Sequence, residues 1–152
     1  MTLPTPVARA ISHFQHLRTV SNKDLFADVD VNEFFDRPLE RMFSLNHPTD
    51  IYFGYSILFS IYDDKLRNYY NVFGRDNVLV ITNEDLLADP ERTMRRVFDH
   101  CGLSWFSSEL FGVKRYLSGS ERIALDPKVR ERLRQLFFPS YARFRQMAGL
   151  GS

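Results

Sequence analysis

The run from Asn77 to Ile81 constrains the fold of this chain more than any other stretch of its sequence. It reads Asn-Val-Leu-Val-Ile, and it is almost continuously apolar and rich in β-branched side chains. Such a run is typical of a strand that is covered on both faces, as strands of parallel sheets are. One strand cannot satisfy its own backbone donors and acceptors. The sequence therefore predicts a parallel-type strand whose sheet is supplied by other polypeptide.

The stretch before this strand is predicted to be helical. Thr5 and Pro6 suit the cap and the first turn of an N-terminal helix. Short helices and loops are expected over residues 21–50. Apolar residues at steps of three and four then predict one long helix over residues 57–73. That stripe consists of Leu58, Tyr62, Leu66, Tyr69 and Phe73.

Two capped helices are predicted after the strand. Asp89 and Pro90 start the first, and Asp126 starts the second, which Pro139 should interrupt. The buried stripe of the first is predicted to be Met94, Val97, Phe98 and Cys101. The fold class is therefore α/β, mostly helical with one parallel-type strand.

Composition limits the classes of function. The 152 residues are 44% hydrophobic and 14% aromatic, which is enough for one domain with a core. Twenty basic and 19 acidic residues give a formal charge of +1, so nothing favours nucleic acid or an anionic membrane as a partner. Cys101 is the single cysteine, and no Cys/His spacing indicates a metal site. No segment approaches the ~20 apolar residues of a membrane span, so we expect a soluble, cytoplasmic protein.

A longer pattern surrounds the strand, in the order helix, strand, acidic turn and capped helix. It reads Tyr62-x-x-x-Leu66-x-x-Tyr69-x-x-x-Phe73, then the strand, then Glu84-Asp85-Leu86-x-x-Asp89-Pro90-x-x-Thr93. This pattern resembles the C-terminal half of sulfotransferases that use 3′-phosphoadenosine 5′-phosphosulfate (PAPS), particularly their bacterial and heparan-type branch. With the flanking segments, the resemblance covers roughly residues 4–149.

The resemblance implies a fold and a reaction. The fold is that of the P-loop-containing nucleoside triphosphate hydrolases, and residues 1–152 would be a partial sulfotransferase domain. The reaction moves a sulfuryl group from PAPS, the co-substrate, to a hydroxyl or amine of a carbohydrate or small-molecule acceptor. The family's phosphate-cradling loop and general base belong to its N-terminal half. We therefore assign no catalytic residue within this chain and expect it to be inactive alone.

Nucleotide-binding residues are implied at the first helix. The segment that contains Pro6, Arg9 and Ser12 looks like the family's 3′-phosphate-binding segment, in which Ser12 donates its hydroxyl to the phosphate. Arg9 lies one turn earlier, where the alternative roles are to face solvent or to pair with an acid. The family has an arginine two residues before the proline, and this chain has Pro4 there. A charge-assisted contact worth ~1.5–3 kcal/mol is therefore missing.

A second implied contact lies in residues 114–122. This segment occupies the position of the family's late basic, glycine-containing loop, although it lacks the usual Lys-Gly-Arg cluster. One of three cations is expected to meet a phosphate, the alternative being ordinary solvated charge. These cations are Lys114, Arg115 and Arg122.

Other polar and aromatic groups are interpreted structurally. His13 and His16 have no third ligand at a recognised metal spacing, and the resemblance places the base elsewhere. Adjacent Glu84 and Asp85 are expected to cap the turn that feeds the next helix rather than to form an acid/base pair. Two aromatic groups are expected in the core. They are Trp105 and the pair Phe34-Phe35.

Two alternatives concern the chain as a whole. One is a non-catalytic helical module for interaction or regulation that kept the sulfotransferase scaffold, which Pro4 and the weak match of residues 114–122 favour. The other is the product of a truncated gene. Self-association, or a partner chain that supplies the missing half, would cover the unpaired strand edge and the exposed apolar faces.

Overall fold

The computed structural model describes residues 2–44, 46–107 and 123–150. The chain divides into two compact units, Met1–Pro4 with Arg67–Glu121 and Thr5–Leu66 with Arg122–Ser152. Helices dominate the described residues. The strands are β1 (Thr2–Leu3) and β2 (Ile81–Thr82), and the helices are α1 (Pro6–His16), α2 (Lys23–Phe26), α3 (Val31–Phe35), α4 (Asp50–Leu58), α5 (Asp63–Phe73), α6 (Asn83–Ala88), α7 (Pro90–His100) and α8 (Pro127–Ala148).

Shorter helical turns complete the order of elements. A π-helical turn, Leu17–Ser21, follows α1 directly, and 3-10 turns occupy Leu39–Phe43 and Arg75–Asn77. Short helices over residues 21–50 were expected from the sequence and are present. Among the described helices, none combines the length and the apolar character that crossing a bilayer requires.

The first unit holds a pair of parallel strands. In this pair Thr2 lies opposite Ile81, and Leu3 lies opposite Thr82. The predicted parallel strand exists, but its predicted bounds were wrong. Only Ile81 of the predicted run belongs to β2, because a strand ends where its hydrogen-bonding neighbour ends and β1 has two residues. The expectation that all neighbours come from other polypeptide was also wrong, since the chain's own β1 supplies one.

Local caps set the helices that follow β2. The Thr82 hydroxyl accepts a hydrogen bond from the Asp85 amide at 3.0 Å, and the Asp89 carboxylate accepts one from the Arg92 amide at 2.9 Å. Thr82 therefore caps α6, which forms the turn that leads into α7. From the sequence we had expected Glu84 and Asp85 to cap this turn. The start of α7 at Pro90 was predicted correctly.

The predicted buried stripe of α7 was only partly right. Met94, Val97 and Phe98 are half-buried, and Cys101 is exposed. Within the described part of this unit α7 packs mainly on α6, and this six-residue helix is too short to cover its face. Trp105 is likewise half-buried rather than in the core, with the Arg95 guanidinium 4.4 Å from its ring centre.

The second unit is built on an aromatic core. Phe34 and Phe35 are fully buried, as predicted, and their ring centres lie 4.9 Å apart in an edge-to-face arrangement. Phe14 of α1 packs on both of them, at 5.0 Å and 6.1 Å. Leu133 and Phe137 of α8 belong to the same cluster. This core holds α1, α3, α4 and α8 together and so fixes the face that α1 leaves outside.

The predicted helix over residues 57–73 is two helices. α4 ends at Leu58 and α5 begins at Asp63. Each end has a partner that the sequence pattern does not show. The Lys65 ammonium donates to the carbonyls of Leu58 and Phe59, and the Asp63 carboxylate accepts from Ser140 and Arg143 of α8.

α8 runs unbroken through Pro139, so the predicted interruption was wrong. The Ser140 hydroxyl lies 2.5 Å from Asp63 Oδ1, and Arg143 Nε lies 2.7 Å from Asp63 Oδ2. These bonds hold the turn after the proline in place. They offset the hydrogen bond that proline cannot donate within a helix.

Candidate functional site

Two contacts orient α1 against α4 in the second unit. The Tyr52 hydroxyl donates to Asn22 Oδ1 at 3.1 Å, and one turn further along α4 the Ser56 hydroxyl lies 2.8 Å from His13 Nδ1. The later residue of α4, Ser56, thus contacts the earlier partner, His13, and the earlier residue, Tyr52, contacts the later partner, Asn22. The two helices are therefore antiparallel. Arg9 precedes His13 by one turn and lies at the level of the C-terminal end of α4.

The contact between His13 and Ser56 fixes which ring nitrogen of His13 carries a hydrogen. The Ser56 hydroxyl donates its one hydrogen to the Tyr52 carbonyl at 2.9 Å, so it accepts from His13 Nδ1–H. Burial lowers the pKa of His13, and the charges of Arg9 and His16 lower it further. His13 is therefore a helix-to-helix link rather than a cation at neutral pH.

Arg9 and Ser12 lie on the same face of α1, three residues apart. Arg9 is half-buried and Ser12 is exposed. Within residues 2–44, 46–107 and 123–150, neither side chain has a hydrogen-bond or ion-pair partner. Both groups are thus open to a ligand, and the role predicted for them remains a prediction.

Lys65 is a further cation at this place that the sequence interpretation missed. Its ammonium donates to the Phe59 carbonyl at 2.8 Å and to the Leu58 carbonyl at 3.3 Å, and it lies 5.0 Å from the centre of the Phe59 ring. Burial lowers the pKa of Lys65, and the charge of Arg9 lowers it further. No sequence signal links Lys65 to α1, because the two meet only through the end of α4.

The remaining predicted residues are distributed differently. Lys114, Arg115 and Arg122 lie outside the described residues, so their predicted contact with a phosphate stays a prediction. Glu84 and Asp85 lie in the first turn of α6, and an Asp85 oxygen is 3.9 Å from Arg96 Nη1. Among the residues that the structure describes, no group of histidine, cysteine and carboxylate side chains could hold a metal ion.

A cavity of about 150 Å³ lies elsewhere in the second unit, between α3, α4 and α8. Its lining is mostly apolar, with Phe35, Phe53 and Leu133 among its residues. The two guanidinium groups beside it have structural partners. Arg37 binds Asp50 and Thr49, and Arg132 donates to the backbone carbonyls at the end of α3. The face of α1 is therefore the better candidate for an anionic ligand.

Comparison with known proteins identifies the fold and the family. The crystal structure of a sulfotransferase from Alicyclobacillus acidocaldarius superimposes with a TM-score of 0.68 at 24% sequence identity. The match covers 99% of this chain and 54% of that one, so the chain spans about half the length of the solved enzyme. The match shows the P-loop-like α/β fold, here mostly helical with a short parallel strand pair. No curated protein matches the chain significantly.

The family profile for the sulfotransferase domain matches residues 5–137. This range begins at the cap of α1, includes the strand, the acidic turn and both capped helices, and reaches Phe137 of α8. It therefore contains Arg9, Ser12 and Lys65. The chain belongs to the sulfotransferase family.

Proposed function

We propose that this chain binds the nucleotide of PAPS at the face of α1 and takes part in transferring its sulfuryl group to a hydroxyl or amine acceptor. The observation that carries the proposal is the state of Arg9 and Ser12. Both side chains lie on one helix face in a family that uses a sulfonate donor, and neither has a partner in the described part of the chain. The acceptor class is a carbohydrate or another small molecule.

The role of α1 in this proposal is to hold and orient the nucleotide. The Ser12 hydroxyl donates a hydrogen bond to an oxygen of the 3′-phosphate, and the Arg9 guanidinium neutralises part of its charge. Sulfuryl transfer depends mainly on in-line positioning and on stabilising charge at the equatorial oxygens. A fixed 3′-phosphate sets the position of the 5′-phosphosulfate. Lys114, Arg115 and Arg122 are proposed as further phosphate contacts.

Turnover, in this proposal, needs polypeptide beyond the present 152 residues. The chain corresponds to 54% of a solved sulfotransferase, and the described residues contain no candidate for the cradle of the 5′-phosphosulfate or for the general base. Release of 3′-phosphoadenosine 5′-phosphate from PAPS should therefore be undetectable with the chain alone across a panel of hydroxyl and amine acceptors. Acceptor-dependent release by the chain alone would refute this part of the proposal.

Calorimetry with 3′-phosphoadenosine 5′-phosphate tests nucleotide binding directly. Ser12→Ala should weaken binding about tenfold, which corresponds to loss of one exposed hydrogen bond to a charged group. Ser104→Ala, at an exposed serine of the other unit, is the matched control and should bind like the wild type. Absence of binding by the wild type, or equal affinity of the two variants, would contradict the proposal and favour a non-catalytic module.

A further inference from the structure

We propose that Lys65 is a second cationic contact for the nucleotide 3′-phosphate, beside Arg9 and Ser12. This inference rests on the proposed function and names a residue of the same site. Lys65 lies on a third helix, α5, so its place beside α1 is inferred from the packing of α1 against α4. It supplies a positive charge in a chain that has Pro4 where the family pattern has an arginine.

The antiparallel packing of α1 and α4 places Lys65 at the end of the helix pair where Arg9 lies. Along α4, Tyr52 contacts Asn22, Ser56 contacts His13, and the final carbonyls hold Lys65. Continuing this order by one turn along α1 leads from His13 to Arg9. The Lys65 ammonium and the Arg9 guanidinium therefore occupy the same end of the helix pair, and Ser12 lies within one turn of Arg9.

Within the described part of the chain, the hydrogen bonds of Lys65 leave one of its donors unused. An ammonium group has three N–H donors, and two are taken by the carbonyls of Leu58 and Phe59. The same two bonds fix the position of the nitrogen. A phosphate oxygen can therefore be bound by a cation that is already ordered, so little side-chain entropy is lost on binding.

The electrostatics of this region favour an anion. Burial and then the charge of Arg9 lower the pKa of Lys65, and Arg9 also contributes to lowering the pKa of His13. The two cations thus repel each other in a partly desolvated place. A phosphate bound between them would replace this repulsion by attraction to both, which is a common reason for cations to cluster at a binding site.

The test is calorimetry on Lys65→Gln with two nucleotides, 3′-phosphoadenosine 5′-phosphate and adenosine 5′-phosphate, which lacks the 3′-phosphate. Glutamine keeps two N–H donors for the carbonyls of α4 and removes the charge. We expect about tenfold weaker binding of the 3′-phosphorylated nucleotide and unchanged binding of the other. Lys65→Arg should restore most of the affinity. Lys23→Gln, at an exposed lysine, is the control with the same change of charge.

The outcomes separate this inference from the proposed function. If Lys65→Gln binds like the wild type while Ser12→Ala binds weakly, the role of Lys65 is refuted and the proposed function stands. If Lys65→Gln weakens both nucleotides equally, Lys65 acts only through the fold and the inference fails. If the wild type binds neither nucleotide, the proposed function fails and the inference fails with it.

Discussion

Asp50 gives the sharpest test of how the second unit is held together. Its carboxylate is fully buried and binds Arg37 Nη1 at 3.0 Å and Arg41 Nη2 at 3.1–3.2 Å. These contacts join the first residue of α4 to the segment that follows α3. We predict that Asp50→Asn, which removes the charge and keeps the shape, destabilises the protein strongly.

The magnitude follows from what happens to the two guanidinium groups. Removing one partner of a buried ion pair costs about 3–5 kcal/mol because the other charge stays buried and unpaired. Arg37 is 13% exposed and can regain little water, whereas Arg41 is 39% exposed and can be hydrated more fully. We therefore expect the lower end, about 3 kcal/mol, or a fall in Tm of about 6–12 °C for a chain of this size. Arg41→Gln should cost about 1 kcal/mol or less.

The dependence on pH has a definite sign. Burial alone would raise the pKa of Asp50, but the hydrogen bonds and charges of Arg41 and Arg37 outweigh it, so the pKa lies below its usual value. A lowered pKa in the folded state stabilises the protein above the unfolded pKa of about 3.9, and this contribution is lost as pH falls through the folded value. The difference in the free energy of unfolding between wild type and Asp50→Asn should therefore be largest near pH 7 and decrease below about pH 4.

Urea unfolding followed by circular dichroism at several pH values measures these differences. Equal m-values for wild type and variants would show that the same surface is exposed on unfolding. A cost below about 1 kcal/mol for Asp50→Asn at pH 7 would refute the reasoning, because it would mean that Arg37 remains solvated or finds another partner. An Arg41→Gln variant as unstable as Asp50→Asn would refute the distinction drawn from exposure.

Two further substitutions test the packing of the second unit. Gly54→Ala should cost about 1–3 kcal/mol in urea unfolding, because a Cβ there would lie 2.8 Å from the backbone oxygen of Met42; an unchanged midpoint would contradict this close approach. Asp63→Asn should lower the midpoint of thermal unfolding by a few degrees, about 1–2 kcal/mol, since it weakens the bonds to Ser140 and Arg143 while Arg143 can turn to water. A variant as stable as the wild type would show that these bonds do not stabilise α8 around its proline.

The site residues stay predictions. The resemblance implies nucleotide contacts for Arg9 and Ser12, and both lie on one face of α1 without partners in the described residues. Lys65 could not be found in this way. Its ammonium is held by two carbonyls at the end of α4, and backbone carbonyls carry no sequence signal. The partners of a side chain across three helices depend on packing, which the sequence pattern of one helix does not report.

The sequence by itself determined where several helices begin. α1, α7 and α8 start at Pro6, Pro90 and Pro127, as predicted, because a first-turn proline acts within a few residues. The carboxylates of Asp89 and Asp126 also cap their helices, whereas the Thr5 side chain makes no capping hydrogen bond. The left-handed φ of +66° at Gly102 after α7 is equally local.

Only the tertiary structure decided the other boundaries. The strand is limited to Ile81–Thr82 because its neighbour is two residues long. The predicted helix over residues 57–73 is divided at the point where Lys65 and Asp63 form their hydrogen bonds. α8 continues through Pro139. At the strand and at α8 the deciding groups are distant in sequence, whereas Lys65 lies only six and seven residues from the carbonyls that it binds. Where the local free energies of continuing and of ending a helix or strand are similar, the tertiary contacts of that segment decide where it ends.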